Sequence, residues 1–228
     1  AFGDEYVFIA DVGTWVVPDP SPTYRNVAGV WVSGFLLSWH PANVNWQPST
    51  LSWELGKGYD VEAWALQMNR ILDLTSLHKI VILQTDIDPP DVDGRLFVLS
   101  NYLLAKGERS YLASASGMPE FYPETTVPLG AYIGEIPMDI QDLWREEWRV
   151  YAREYEGGLV LVNPGPDEVT INLDTPLYQV TPVGGGPVST DGIPTGRLTA
   201  ILTDTLTLTP PGGAILLREF ENSNLTYP

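Results

Sequence analysis

Cysteine is absent from this chain of 228 residues, which excludes disulfide bonds, thiolate metal sites and a cysteine nucleophile. Histidine is scarce as well, because the chain has only His40 and His78. Two histidines leave little room for a catalytic triad of serine, histidine and an acid. No run of apolar residues reaches the roughly 18 that a membrane-spanning helix needs.

Basic residues are also few: Lys and Arg number 12 against 29 acidic residues, so the net charge is −17. Such a charge repels phosphate backbones and anionic lipids, and we expect neither nucleic acid nor a membrane as a partner. Apolar residues make up 44% of the chain, which is typical of a globular protein. The lack of cysteine beside many Pro, Gly, Thr and Trp residues favours an extracellular or cell-surface location. The chain begins at Ala1 with neither Met nor a signal-peptide pattern, so we expect a processed chain or a piece of a longer one.

The first part of the chain alternates predicted strands with predicted helices. The helix over 61–78 carries Trp64, Met68, Ile71 and Leu72 at i, i+4, i+7 and i+8, which places them on one face. The next strand is apolar without alternation, so we expect it to be buried on both sides. The full order is strand 5–13, strand 29–37, helix 61–78, strand 79–86, helix 94–106 capped by Asp93 and strand 109–116. This order favours a parallel α/β sheet.

The character of the sequence changes beyond residue 117. A proline-rich segment over 119–137 leads to short strands separated by Gly- and Pro-containing turns. Such spacing is typical of a small antiparallel sandwich. We therefore predict two domains, a (β/α) part over 1–148 and an antiparallel β domain over 149–228.

Four stretches resemble the C-terminal half of a glycoside-hydrolase-like (β/α)8-barrel protein with an appended β domain. They are RLFVLSNYLLAKGERSYL (95–112), EFYPETTVPLG (120–130), YAREYEGGLVLVNPGPDEVTINL (151–173) and LTLTPPGGAILLRE (206–219). The resemblance implies a (β/α)8-barrel-like parallel sheet followed by a small antiparallel β-sandwich. Half a barrel leaves two sheet edges unpaired, so a preceding segment, a companion chain or a second copy would have to complete it. A self-contained open α/β sheet is the alternative.

In barrel enzymes the active site lies at the carboxyl ends of the strands. The stretch KIVILQTDIDPP ends there in Gln84 and Asp86, and the first strand ends in Asp11. Glycoside hydrolysis needs two carboxyls, one as acid and one as nucleophile or base. We predict Asp11 and Asp86 as this catalytic pair, with Gln84 binding substrate. Glu120 and Glu124 follow the last predicted strand as further acids.

Structural roles compete with these catalytic ones. Asp86 and Asp88 precede two prolines and are also suited to a turn or a helix cap, and Asp11 is suited to a turn. Where proteins of the resembled kind commonly end a strand in a carboxylate, this chain has Ser33. A serine without a base cannot replace a general acid, so the site is either elsewhere or degraded.

The loop over 38–60 is rich in aromatic and polar residues. Aromatic faces stack on sugar rings, while amides and acids bond the hydroxyls. We predict that this loop binds substrate through Trp39, His40, Trp46, Trp53 and Glu54. Packing of the loop onto the protein or onto a partner subunit is the competing interpretation.

These patterns predict a glycosidase-like protein that acts on an extracellular polysaccharide, with no cofactor and no metal. Two rival hypotheses stay open. One is a non-catalytic carbohydrate-binding or structural protein on a degenerate glycosidase scaffold, and the other is a self-assembling subunit.

Overall fold

The structure is a computed structural model of the chain. It describes residues 7, 9–13, 43–46, 61–85, 89–114 and 116–221, with the backbone alone at 10–13, 46 and 63. Four parallel strands lie side by side in chain order: β1 (Ile9–Gly13), β2 (Asn43–Trp46), β3 (Val81–Thr85) and β4 (Ser110–Ser114). Strand β2 lies in a stretch predicted as a loop, and the strand predicted over 29–37 lies outside the described residues.

Strand β3 alternates in burial along its length. Val81, Leu83 and Thr85 are buried, whereas Ile82 and Gln84 are only half-buried. Val81 and Leu83 belong to an apolar cluster that includes the helices, so the buried face is the helix-facing one. The prediction that this strand is buried on both sides is wrong, because among the described residues the helices pack on one side of it.

Helix α1 (Val61–Ser76) buries the face that its periodicity predicts. Trp64, Met68 and Ile71 have no exposed surface, and Leu72 is 1% exposed. The Trp64 Nε1 donates a hydrogen bond of 2.7 Å to the Asn101 Oδ1 of the following helix. The predicted apolar face of α1 is therefore confirmed.

Helix α2 (Val92–Ala105) is buried from Gly94 to its end. The Asp91 side chain caps it by accepting a 2.9 Å hydrogen bond from the Gly94 amide, whereas Asp93, the predicted cap, is exposed in the first turn. On one side α2 packs directly on β12 (Gly212–Leu217), where a Cβ at Gly213 would lie 2.8 Å from the Leu96 carbonyl oxygen. Helix α2 is thus a central layer between two sheets.

The second sheet contains β12 and five further strands: β6 (Trp144–Arg145), β7 (Val150–Tyr155), β8 (Gly158–Asn163), β9 (Val169–Val183) and β11 (Arg197–Leu208). These six strands are antiparallel and lie in the order β11-β9-β12-β8-β7-β6. Along β8 and β12, Val160 and Ile215 face the core around α2, while Leu161 and Leu216 face a second cluster. The β9–β11 hairpin closes that second cluster, so one sheet folds over its own core.

A short antiparallel ladder joins this region to the connecting segment. Strand β5 (Glu120–Phe121) pairs with β10 (Gly186–Pro187). The turn before β10 needs glycine, because Gly185 has a φ of +99° and a Cβ there would lie 2.9 Å from Pro123 Cδ. Two 3₁₀ helices complete the connecting segment, at Pro123–Thr126 and Ile140–Leu143.

The predicted (β/α)8-barrel half is wrong for the described residues. They form an open parallel sheet of four strands with two helices, and the remaining strands are antiparallel. The chain does not continue the βα pattern after β4, because β5 pairs with β10 and β12 covers α2. The antiparallel pairing expected near the C-terminus is present, but as one folded sheet rather than a separate two-sheet sandwich. The domain boundary at 148/149 stays a prediction.

Neither α1 nor α2, the two described α-helices, is long and apolar enough to cross a bilayer.

Candidate functional site

A cavity of about 580 Å³ lies beside β4, between that strand, the second half of α2 and the segment 118–130. We call it the β4 groove. The lining residues that matter below are Thr85, Tyr111, Ser114, Met118, Glu120 and Tyr122. Thr85 and Ser114 are register partners at the carboxyl ends of β3 and β4. The groove therefore reaches the edge of the parallel sheet where α/β proteins bind ligands.

Large side chains are exposed along the groove. Tyr111 on β4 is 54% exposed and Met118 is 66% exposed. Phe121 and Tyr122 add half-buried aromatic rings to the lining. An exposed tyrosine beside a cavity provides an apolar face and a hydroxyl, the combination that suits a sugar ring.

Glu120 places a carboxylate in the groove. The Tyr122 hydroxyl donates a hydrogen bond of 3.2 Å to Glu120 Oε2. Burial, and after it the charge of Glu120, raises the pKa of Tyr122 to about 12. The hydroxyl therefore stays protonated at neutral pH and keeps one oxygen of Glu120 occupied, which leaves the other oxygen for a ligand.

Glu124, only four residues further on, has a different environment. Its two oxygens accept hydrogen bonds of 2.7 and 2.6 Å from Nε and Nη2 of Arg95, and both side chains are 2% exposed. The Arg95 Nη1 also donates to the carbonyls of Pro89 and Gly184, at 2.8 and 2.9 Å. Because both carboxylate oxygens of Glu124 bind Arg95, this acid fixes the groove wall and is not free for chemistry.

Most of the predicted site residues lie outside the described residues. These are Asp86, Trp39, His40, Trp53 and Glu54, together with Ser33. Asp11 and Trp46 lie on β1 and β2, where the backbone pairs Asp11 with Asn45 and Trp46 with both Gly13 and Leu83. Their predicted roles stay predictions.

Gln84 is the one predicted site residue whose side chain the structure describes. It is half-buried on β3 and pairs in register with Ala113. Thr85, its neighbour in the chain, lines the groove, whereas Gln84 lies on the opposite face of the strand. The substrate-binding role of Gln84 stays a prediction.

Sequence reasoning missed Tyr111 and Tyr122. Glu120 was noted only as an acid after the last strand. The signal for Tyr122 is its position between the two acids in EFYPE, where a hydroxyl can bond either carboxylate. Tyr111 has no such local signal, because its place beside the groove depends on β4 being the outer one of the described parallel strands.

No group of three or more His, Cys, Asp or Glu residues able to hold a metal ion occurs in the described parts of the chain.

Residues 51–159 match the model of a family described as hypothetical glycosyl hydrolase family 15. The matched stretch contains α1, β3, α2 and β4, and also every residue that lines the β4 groove. Over these residues the chain is glycoside-hydrolase-like, so the predicted resemblance is confirmed in that coarser form. Comparisons with curated proteins and with solved structures gave no match.

Proposed function

We propose that this protein binds a saccharide in the β4 groove and hydrolyses a glycosidic bond in an extracellular polysaccharide. The supporting observation is that the glycosyl-hydrolase match spans the entire lining of the groove. Tyr111 would stack on a sugar ring, since more than half of its surface is exposed beside the cavity.

Hydrolysis of this kind needs a second carboxyl. Asp86 is the first residue in the chain after β3, whose carboxyl end reaches the groove at Thr85, whereas Asp11 lies on a strand two positions away from β3 in the sheet. We therefore propose Glu120 with Asp86 as the pair at the groove, and Asp11 remains the alternative partner. In this arrangement Tyr122 keeps Glu120 in place through its hydrogen bond.

The test is release of reducing ends from a panel of neutral and acidic polysaccharides. If the proposal holds, the wild-type chain releases reducing ends, and Glu120→Gln lowers the rate by about 10²- to 10⁴-fold. Asp86→Asn should have a loss in the same range. The matched control is Glu135→Gln, because Glu135 is exposed and does not line the groove. Equal rates for Glu120→Gln and the control would refute a catalytic role for Glu120.

A second candidate function is saccharide binding without hydrolysis. It is favoured by the described groove lining itself, in which Glu120 is the only carboxylate that is not in an ion pair. Calorimetric titration combined with the reducing-end assay separates the two: a binding protein would bind saccharide, release no reducing ends, and lose up to roughly tenfold in affinity in Tyr111→Ala.

A further inference from the structure

Strand β11 is the outermost strand on one side of the six-stranded sheet. Within the described parts of the chain it pairs with β9 and with no other strand. It is 12 residues long, so its other edge presents a long row of backbone groups that no described strand bonds. Such an edge is a template for pairing with another strand.

The middle of β11 ends at a register irregularity between Thr203 and Thr205, and before that point it lacks the charges and prolines that proteins use to block such an edge. The segment LTAILT (198–203) contains no charge and no proline. Its two adjacent residues Ile201 and Leu202 are 73% and 55% exposed, and neighbouring residues of a strand lie on opposite faces. An edge that is apolar on both faces and uncharged favours pairing rather than opposing it.

The charged residues on either side of this segment indicate which partner the edge fits. Arg197 precedes it and Asp204 follows it, and both are exposed. When two copies pair antiparallel about Ile201, the basic end of each segment lies beside the acidic end of the other. Parallel pairing would place like charges together. A second copy of this chain is therefore complementary to the edge in its backbone groups and in charge.

We infer that β11 pairs with β11 of a second copy around a twofold axis at Ile201, which joins the two antiparallel sheets into one. The interface is isologous, so each substitution in the strand acts twice. This surface is separate from the β4 groove and does not depend on the proposed function. Because each copy carries a net charge of −17, the copies repel at long range, and salt should strengthen the dimer.

Sedimentation equilibrium over a concentration series tests this inference. With a monomer of 25.2 kDa, the expected result is a reversible monomer–dimer equilibrium that shifts toward dimer as salt is raised. Backbone hydrogen exchange provides a measurement without any substitution. Exchange over 198–203 should slow as the protein concentration rises, while exchange in the β4 groove should not change.

Substitutions then locate the interface. Ile201→Lys should raise the dimer dissociation constant by about tenfold or more, since it places two charges at the twofold axis. The matched control is Ile193→Lys, which adds the same charge at a loop residue that is 57% exposed and lies outside the strand. Asp204→Arg should also weaken the dimer, and the double change Arg197→Asp with Asp204→Arg should restore it.

Three outcomes would overturn the inference. The first is a monomer at every concentration and salt, which would leave the edge to a different partner. The second is a dimer that Ile201→Lys and Ile193→Lys affect equally. The third is growth to larger species without a closed dimer, because a twofold contact between edges cannot propagate.

Discussion

The two ends of α2 are both held by a buried arginine, but by different chemistry. Near its start, Arg95 is matched by the Glu124 carboxylate in two hydrogen bonds. At its end, Arg153 from β7 has no carboxylate: its Nη1 donates to the carbonyls of Leu103, Leu104 and Lys106 at 3.1, 2.9 and 2.8 Å. Both arginines are 2% exposed.

The helix itself explains how Arg153 manages without a counter-ion. The last carbonyls of a helix carry partial negative charge, so a cation there is favourable. The ring of Tyr132 lies 4.0 Å from the Arg153 guanidinium and adds a cation–π contact. Burial nevertheless lowers the pKa of Arg153, and its Nε and Nη2 have no hydrogen-bond partner in the described structure. At the helix start the dipole is unfavourable for a cation, and there the chain supplies a full negative charge.

The largest loss of stability is expected when Arg95, at the start of α2, loses its counter-charge. Glu124→Gln leaves the Arg95 guanidinium buried without an anion, and we expect it to lower the free energy of unfolding by about 3–5 kcal/mol. Urea denaturation measures this value. Replacing both residues by methionine should cost less than Glu124→Gln alone, because no unpaired charge remains. A loss of only a few tenths of a kcal/mol in Glu124→Gln would mean that Arg95 does not depend on a carboxylate partner, and that the two ends of α2 do not differ in this respect.

A smaller loss of stability is expected when Arg153, at the end of α2, is replaced. Arg153→Met removes the hydrogen bonds to the carbonyls at the end of α2 but also removes a buried charge, so we expect a loss of about 1–3 kcal/mol. The matched comparison is Arg218→Met, since Arg218 is exposed and has no described ion pair. If Arg153→Met destabilises the protein more than Glu124→Gln, the capping interpretation of this end is wrong.

The smallest expected loss of stability occurs only at alkaline pH. It concerns Tyr102, near the end of α2. Its hydroxyl donates to the Ser110 carbonyl at 2.8 Å. Burial, and after it the charge of Tyr111, raises the pKa of Tyr102 from 10.0 to about 12. The folded state therefore holds this proton more tightly, so its contribution to stability is complete below pH 10 and is lost as the pH rises to about 12. Urea denaturation at stepped pH should show the decline, and Tyr102→Phe should make it shallower. An identical slope in the variant would refute the assignment.

Local patterns predicted the apolar face of α1 correctly, but they missed β2 and the Asp91 cap of α2. The apolar face of α1 follows from the spacing of Trp64, Met68 and Ile71, which needs no knowledge of distant residues. The short strands β8 and β12 likewise follow from apolar runs bounded by Gly and Pro turns, whereas β9 and β11 have 15 and 12 residues and are longer than these patterns predict. The barrel prediction failed because it depended on pairings between distant segments. Nothing in the sequence near Glu120 shows that β5 pairs with β10, more than 60 residues further on.

The candidate site likewise could not be predicted from local sequence patterns alone. Glu120 and Glu124 look alike in EFYPE, and only the contact of Glu124 with Arg95, 29 residues earlier, separates the acid held in the wall from the acid in the groove. Tyr111 lines the candidate groove, and among the described strands β4 is the outer strand of the parallel sheet. Both facts depend on tertiary structure.

The β5–β10 ladder has a consequence for engineering this protein. One strand of the pair carries Glu120, and the other comes from the antiparallel region, whose Gly184 carbonyl also binds Arg95. Exchanging or shortening the segment between β9 and β11 would therefore alter the wall of the groove, although the two segments are distant in the chain. The antiparallel region therefore contributes to the groove wall, and changes within it are expected to alter the shape of the groove.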